Sequence, residues 1–227
     1  MGSPTDPERR RRTAREGQSR EARPYHHGDL RRALVDAALA LLREHGLEAL
    51  TLRAVARAAG VSQTAPYRHF ADRAALLAGV AEDGFRRLYT RMLRAVGAPI
   101  SPGHTERSGL QRLALEYLRF ALEHPAEYRL MFGDELAGHA PAALPPAFGE
   151  ARESVFALLR GGIVRLQELG LVRAGDPAAM ALSAWALVHG LAMLSLDGQV
   201  RRAGAPPPEE LALTATDLMM HGMAAGR

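Results

Sequence analysis

The chain contains no cysteine, which excludes a disulfide framework, a thiolate nucleophile and a cysteine-ligated zinc site. It contains no lysine either. All 29 basic side chains are arginine, which we read as codon bias and not as a functional signal. Aromatic residues are scarce: one tryptophan, five tyrosines and six phenylalanines in 227 residues, so a core must be built mainly from aliphatic side chains. Neither an alternating strand pattern nor an internal repeat is present, and the expected fold is all-α. The charged start of the chain lacks an apolar run, so no signal peptide is expected. One stretch, residues 177–196, carries no formal charge and approaches the length of a bilayer span. It is rich in alanine and holds Ser183, Ser195, His189, Gly190 and Trp185. We therefore expect a soluble helix buried on two sides, with no membrane contact, in a cytoplasmic protein.

Signatures of enzymatic chemistry are missing as well. There is no glycine-rich phosphate loop, no His-Glu-x-x-His helix and no serine in a nucleophile elbow. His26 and His27 are adjacent and would point apart on a helix. Asp217 and His221 share a helical face, which an ordinary surface ion pair explains. Neither an enzyme, a metal site nor a bound cofactor is expected.

Basic charge is present, and it is uneven. Residues 1–75 hold 14 arginines against 9 acids, a net of +5, whereas residues 76–227 hold 15 against 16, a net of −1. A basic N-terminal part suits a polyphosphate partner. Residues 51–77 lie in that part, and their spacing predicts two short helices joined by a glycine turn. Thr51 caps the first helix, and Leu52, Val55, Ala56 and Ala59 follow helical spacing along it. Gly60 lets the chain turn, and Val61 anchors the turn. Ser62 is then expected to cap a second helix running through Phe70. Small Ala56 beside the turn lets the two helices cross closely, as a helix-turn-helix requires. The outer side of the second helix carries Gln63, Thr64, Tyr67, Arg68 and His69, groups suited to a major groove.

At these residues the chain resembles the DNA-binding domain of TetR-type bacterial transcription regulators. The likeness runs over residues 25–80, from a Tyr25-His26-His27-Gly28-Asp29-Leu30 lead-in to the run from Gly60 through Phe70. It implies a three-helix head that binds double-stranded DNA through Thr51, Arg53, Ser62, Gln63, Thr64, Ala65, Tyr67, Arg68, His69 and Arg73. Gln63, Thr64 and Arg68 would read bases. Thr51, Tyr67, His69 and Arg73 would grip phosphates. Two positions depart from the family pattern. Pro66 stands where an apolar residue fills the slot of the recognition helix, giving up one intrahelical hydrogen bond, so the helix is expected to survive in a tighter form. Arg73 stands where lysine is usual.

The rest of the chain reads as head and body. Residues 1–23 form an arginine-rich disordered arm, with Arg9–Arg12 either lying along DNA or serving as a solubilising tail. Residues 24–75 are the head and residues 76–227 the body. Helices are expected over residues 28–45 (Leu30, Leu34, Ala37, Ala38 and Leu41 inward, closed by Gly46), 72–96 (capped by Asp72), 105–123, 125–132, 147–169, 177–196 and from Pro208 onward. Residues 98–104 should break the chain after the long helix, and residues 133–146 should form a loop. Gly161 and Gly162 inside a helix imply either close helix packing or room for a ligand. Trp185, His189 and Gly190 resemble the Trp-His-Gly signature of one TetR-type C-terminal domain, which implies a helical effector-binding and dimerisation body.

The expected function is a ligand-responsive homodimeric repressor on a palindromic operator. The alternative is an effector-independent DNA-binding protein, architectural or constitutive; effector-dependent release of DNA separates the two. The expected effector is apolar or amphipathic, in a pocket lined by Leu110, Leu113, Tyr117, Met131, Phe132, Phe156, Trp185, His189 and Met193. The dimer would use residues 177–196 and 208–223. Two stripes on the uncharged helix, Leu182–Trp185–His189–Met193 and Met180–Ala184–Leu187–Leu191–Leu194, would face core and partner.

Overall fold

A computed structural model describes residues 27–97, 108–140 and 143–224. The arginine-rich arm, the Tyr25-His26 lead-in and the break expected at residues 98–104 lie outside the described residues. Ten α-helices and two short 3-10 turns make up the described chain, with no strand among the described residues.

The head consists of α1 (His27–His45), a 3-10 turn (Leu47–Ala49), α2 (Leu52–Ala58) and a second 3-10 turn (Ala65–Arg68). Leu34, Val35, Ala38 and Leu42 turn inward from α1, and Gly46 ends it in the left-handed region at φ 77°, where a side chain would be strained. Thr51 Oγ1 accepts from the Ala54 amide at 3.1 Å, the expected cap. Gly60, at φ 69°, makes the turn after α2.

The second helix of the head differs from expectation. Between Ser62 and Phe70 only Ala65–Arg68 is helical, as one 3-10 turn, and Thr64 makes no side-chain cap bond. The reason lies in Pro66. In an α-helix its amide would donate to the Ser62 carbonyl, but proline has none. The Ala65 amide takes that carbonyl instead, at 3.0 Å, and the winding tightens to the 3-10 form. Proline also disfavours the α conformation at Ala65 before it. Pro66 itself is buried, so it fills the apolar slot although it shortens the helix.

The body begins within α3 (Arg73–Gly97), which Asp72 caps by accepting from the Ala75 amide at 2.8 Å. The boundary expected after residue 75 thus falls inside one continuous helix. The helices α4 (Ser108–Glu123), α5 (Pro125–Phe132), α6 (Asp134–Ala137), α7 (Pro146–Glu168), α8 (Pro177–Leu196), α9 (Gln199–Arg202) and α10 (Pro208–Met223) follow. Helix α6 interrupts the loop expected at 133–146. Asp176 caps α8 by accepting from the Ala178 amide at 2.9 Å, with Pro177 at its first helical position. Helix α3 packs on α4, α5 and α7; α8 packs on α4, α7 and α10. Gly162 faces α4, where a Cβ would lie 3.4 Å from Leu110 Cδ2, within ordinary contact. At Gly161 a Cβ would meet nothing within 4 Å, so close packing does not require the paired glycines.

Helix α8 is the other correction. By length and composition it alone among the described helices qualifies to cross a bilayer. As expected, one side is buried within the chain and the other is not; which residues form each side is what differs. Ala181, Ala184 and Ala192 turn in, while Leu182, Leu187 and Leu194 are exposed. Neither predicted stripe survives as drawn, since Leu182 and Trp185 part company and so do Ala184 and Leu194. Uniform hydrophobicity around the helix gives periodicity nothing to distinguish.

Candidate nucleic-acid interface and ligand cavity

The exposed edge of the head is built by the glycine turn and the 3-10 turn that follows. Ser62, Gln63, Thr64, Tyr67 and Arg68 are all exposed there, together with Thr51, Arg53 and Arg57 from the start and outer face of α2. Ser62 Oγ and Thr64 Oγ1 lie 3.3 Å apart. Tyr67 is 53% exposed, a large aromatic surface that a lone head would have little reason to leave wet. Ala65 and His69 are half-buried; tightening of the turn carries them inward from the face on which a regular helix would have put them. Arg73 also departs from expectation. Its Nε donates to the Leu50 carbonyl at 2.9 Å and its Nη2 to the Leu47 carbonyl at 3.1 Å. Its Nη1 lies 3.3 Å from Glu135. The guanidinium is spent on holding the loop before α2 against the body, a bidentate use that lysine's single ammonium would not reproduce.

Behind the head, three acidic side chains of the body receive arginines across the seam. Glu82 on α3, almost fully buried, takes Arg31 of α1 at 2.8 Å and Arg86 at 3.0 Å. Glu135 on α6 takes Arg73. Glu127 on α5 is wholly buried and bonds Arg87 through Oε1; Arg43 of α1 approaches its Oε2 at 3.6 Å. A Cβ on Gly84 of α3 would stand 2.6 Å from Met131 Sδ and 2.9 Å from Glu127 Oε1. The missing side chain is what lets α5 lie so close to α3. Burial, with Arg87 and Arg43 nearby, lowers the proton affinity of His124 just before α5.

The other end of α5 reaches a cavity of about 360 Å³ in the body. Seven residues read from the sequence line it: Leu110, Leu113, Tyr117, Met131, Phe132, Phe156 and Trp185. His189 and Met193 do not. His189 stands behind the wall, its Nδ1 3.0 Å from Tyr117 Oη and 2.6 Å from Tyr128 Oη. Helical spacing had placed His189 with Trp185, and the two rings do lie 5.0 Å apart, but only the indole reaches the cavity. Its Nε1 donates to Tyr117 Oη at 3.0 Å. Sequence reasoning missed Phe85 and Met92 of α3, Phe148 and Leu159 of α7, and Met219 of α10. Phe85, Met92 and Leu159 stand at the helical spacing of a buried stripe, but such a stripe carries no sign that its far side is hollow. Tyr128, which ties Tyr117 to His189, was hidden in an eight-residue helix too short for a clear period.

A second, shallower groove lies on the outer face of α8 and α10, lined by Ala186, Leu187, Gly190, Leu191, Leu194 and Leu218 among others. Leu187, Leu191 and Ala215 border both hollows.

Comparison with known proteins agrees with the two-part architecture. Residues 34–80 match the bacterial regulatory proteins of the tetR family, and residues 110–224 match the tetracyclin repressor-like C-terminal domain. A solved protein of unknown function from Rhodococcus sp. RHA1 is 38% identical, with a TM-score of 0.76, over 89% of this chain and 100% of that one. A TetR family transcription regulator from Marinobacter aquaeolei VT8 shares the fold at 20% identity and a TM-score of 0.63, over 87% of this chain and 96% of its own. An HTH-type transcriptional regulator of Mycobacterium tuberculosis H37Rv is 28% identical over 130 residues, 57% of this chain and 53% of its own. The chain thus spans about half the length of the curated relatives it matches. A helix-turn-helix head with an exposed polar edge and a helical body matched over residues 110–224 lead to one conclusion: the chain belongs to the TetR family of DNA-binding bacterial transcription regulators.

Proposed function

We propose that the protein is a cytoplasmic, ligand-responsive homodimeric repressor that binds a palindromic operator and releases it when a small apolar or amphipathic molecule fills the body cavity. The observation that carries this reading is the double attachment of α5. Met131 and Phe132 at one end line the cavity, and Glu127 near the other end faces Arg43 of the head. A ligand pressing on α5 would therefore act on α1 directly and, through Gly84, on α3. Release follows if the ligand prefers the arrangement in which the heads no longer match the groove spacing.

On the DNA side, Gln63, Thr64 and Arg68 read base edges, with Arg53, Ser62 and Ala65 in the same interface. Thr51, Tyr67 and His69 hold the phosphates, where they position the head without carrying sequence information. Arg73 braces the loop that carries Thr51. The dimer uses the exposed leucines of α8 and α10, where Leu218 is 69% and Leu182 53% exposed. Such an apolar face on an isolated chain marks an association surface. Two-fold pairing sets the recognition turns about 34–36 Å apart, one turn of duplex.

The test is operator binding by the full-length chain, titrated with compounds that change Trp185 emission. A compound that alters the emission should weaken operator affinity in the same concentration range. If every such compound leaves operator affinity unchanged, the ligand-responsive reading fails in favour of a constitutive DNA-binding protein. A dilute sample that sediments as a folded monomer removes the dimer.

A further inference from the structure

Taking the body cavity as the effector site, its hydrogen-bonding capacity narrows the class of molecule it takes. The uncharged polar side chains in its wall are Tyr117, Trp185 and Thr216, and each is already engaged. Trp185 spends its only N–H on Tyr117 Oη at 3.0 Å. Tyr117 Oη, Tyr128 Oη and His189 Nδ1 form a closed triangle with sides of 2.9, 2.6 and 3.0 Å. With a neutral imidazole carrying its proton on Nε2, the triangle holds two hydroxyl protons and consumes both, whichever way round they run. Burial lowers the proton affinity of His189, which keeps the ring neutral. The Thr216 hydroxyl donates to the Ala212 carbonyl one turn back.

The charged wall residues do not supply a binding pole either. Arg152 and Glu153 are consecutive on α7, opposite in sign and exposed. The Arg152 guanidinium lies over the Phe148 ring, 5.8 Å from its centroid. Past this exposed pair, an ionised group would lose its hydration and find no free polar side chain in exchange, a heavy penalty in an apolar site. An uncharged molecule with few polar atoms loses far less.

We infer that the cavity selects uncharged, hydrogen-bond-poor molecules and discriminates against carboxylates and ammonium ions of the same size. A cavity of about 360 Å³ lies at the small end of ligand sites, which run from about 300 to 1,000 Å³. The closed triangle is then a specificity device: it keeps the Tyr117 and Tyr128 hydroxyls, and through Tyr117 the Trp185 N–H, from the ligand. This rests on the effector reading above.

Three probes of matched size test it on the full-length chain: methyl nonanoate, decanoate (the anion of the ester's isomer, decanoic acid) and decylammonium. Binding is followed by Trp185 emission and by calorimetry, and competition among the probes assigns them to one site. Methyl nonanoate should bind at least roughly tenfold more tightly than either ion at neutral pH, given the cost of stripping water from an unpaired charge. Decanoate or decylammonium binding as tightly as the ester overturns the proposed selectivity while leaving an effector site in place. Failure of all three to bind overturns the selectivity and the effector reading together.

Discussion

Glu127→Gln is the most informative single change at the seam, because it keeps the side chain's shape and removes its charge. Glu127 is 0% exposed and bonds Arg87, while Arg43 stands 3.6 Å away. Removing one member of a buried pair costs about 3–5 kcal/mol when the survivor is left uncompensated. Here the survivors have other recourse. Arg87 keeps Asp83 at 2.9 Å and lies over the Phe120 ring, and Arg43 has half of its side chain in water. The loss should therefore fall nearer the value of hydrogen bonds to a charged group, about 1.5–3 kcal/mol. For a chain of this size that corresponds to a fall in Tm of roughly 3–12 °C. Urea unfolding should show a lower midpoint with an unchanged slope. Because the same carboxylate faces the head, the variant should also show a smaller ligand effect on operator affinity. A midpoint equal to that of the parent protein would refute the reasoning about the pair. A destabilised variant with full ligand response would refute its role in coupling.

Other outcomes follow from individual contacts. Arg73→Ala should destabilise the head by about 1–3 kcal/mol, because the Leu50 carbonyl loses the guanidinium donor and the Leu47 carbonyl is left with the Leu50 amide alone. Melting of the DNA-free protein reads this directly, and an unchanged Tm would return Arg73 to the role of a phosphate contact. Gln63→Ala should cost about 1–3 kcal/mol on the cognate operator and relax sequence preference at one position; selection from random duplexes that returns the parent motif contradicts base reading. His189 has its proton affinity lowered by burial, so below its ordinary pKa of about 6.5 the unfolded chain binds more protons than the folded one. Stability should accordingly be unaffected by this group above about pH 6.5 and fall as the pH drops below that value. His189→Asn should flatten that limb of the melting profile, and an equally steep limb in the variant would locate the titration elsewhere.

How much of this was legible in the sequence depends on what each residue has to decide locally. Caps and prolines act within one turn, so Thr51 and Asp72 mark helix starts that the structure reproduces, and Asp176 with Pro177 opens α8 in the same local way. Pro66 is legible too, but counting it as one lost hydrogen bond predicts a tightened helix that survives. In a segment this short, with the residue before it also restrained, that one bond decides between an α-helix and a single 3-10 turn. The partners of Arg73 were invisible because two are backbone carbonyls, and the third, Glu135, lies 62 residues away. The cavity was half legible. Apolar residues at helical spacing say which side of each helix turns inward, but not whether the inward sides meet. Helix α8 marks the limit most clearly: a helix apolar all round offers no contrast by which its own sequence could orient it. Its orientation is set by Ala181, Ala184 and Ala192, small residues that let α4, α7 and α10 come close. The larger Leu182, Leu187 and Leu194 are left outside. Trp185 and Met193 also pack inward while Ala186 stays exposed, so neither size nor hydrophobicity read along the helix sorts its faces; the neighbouring helices do, and they leave outside leucines large enough to make a second interface.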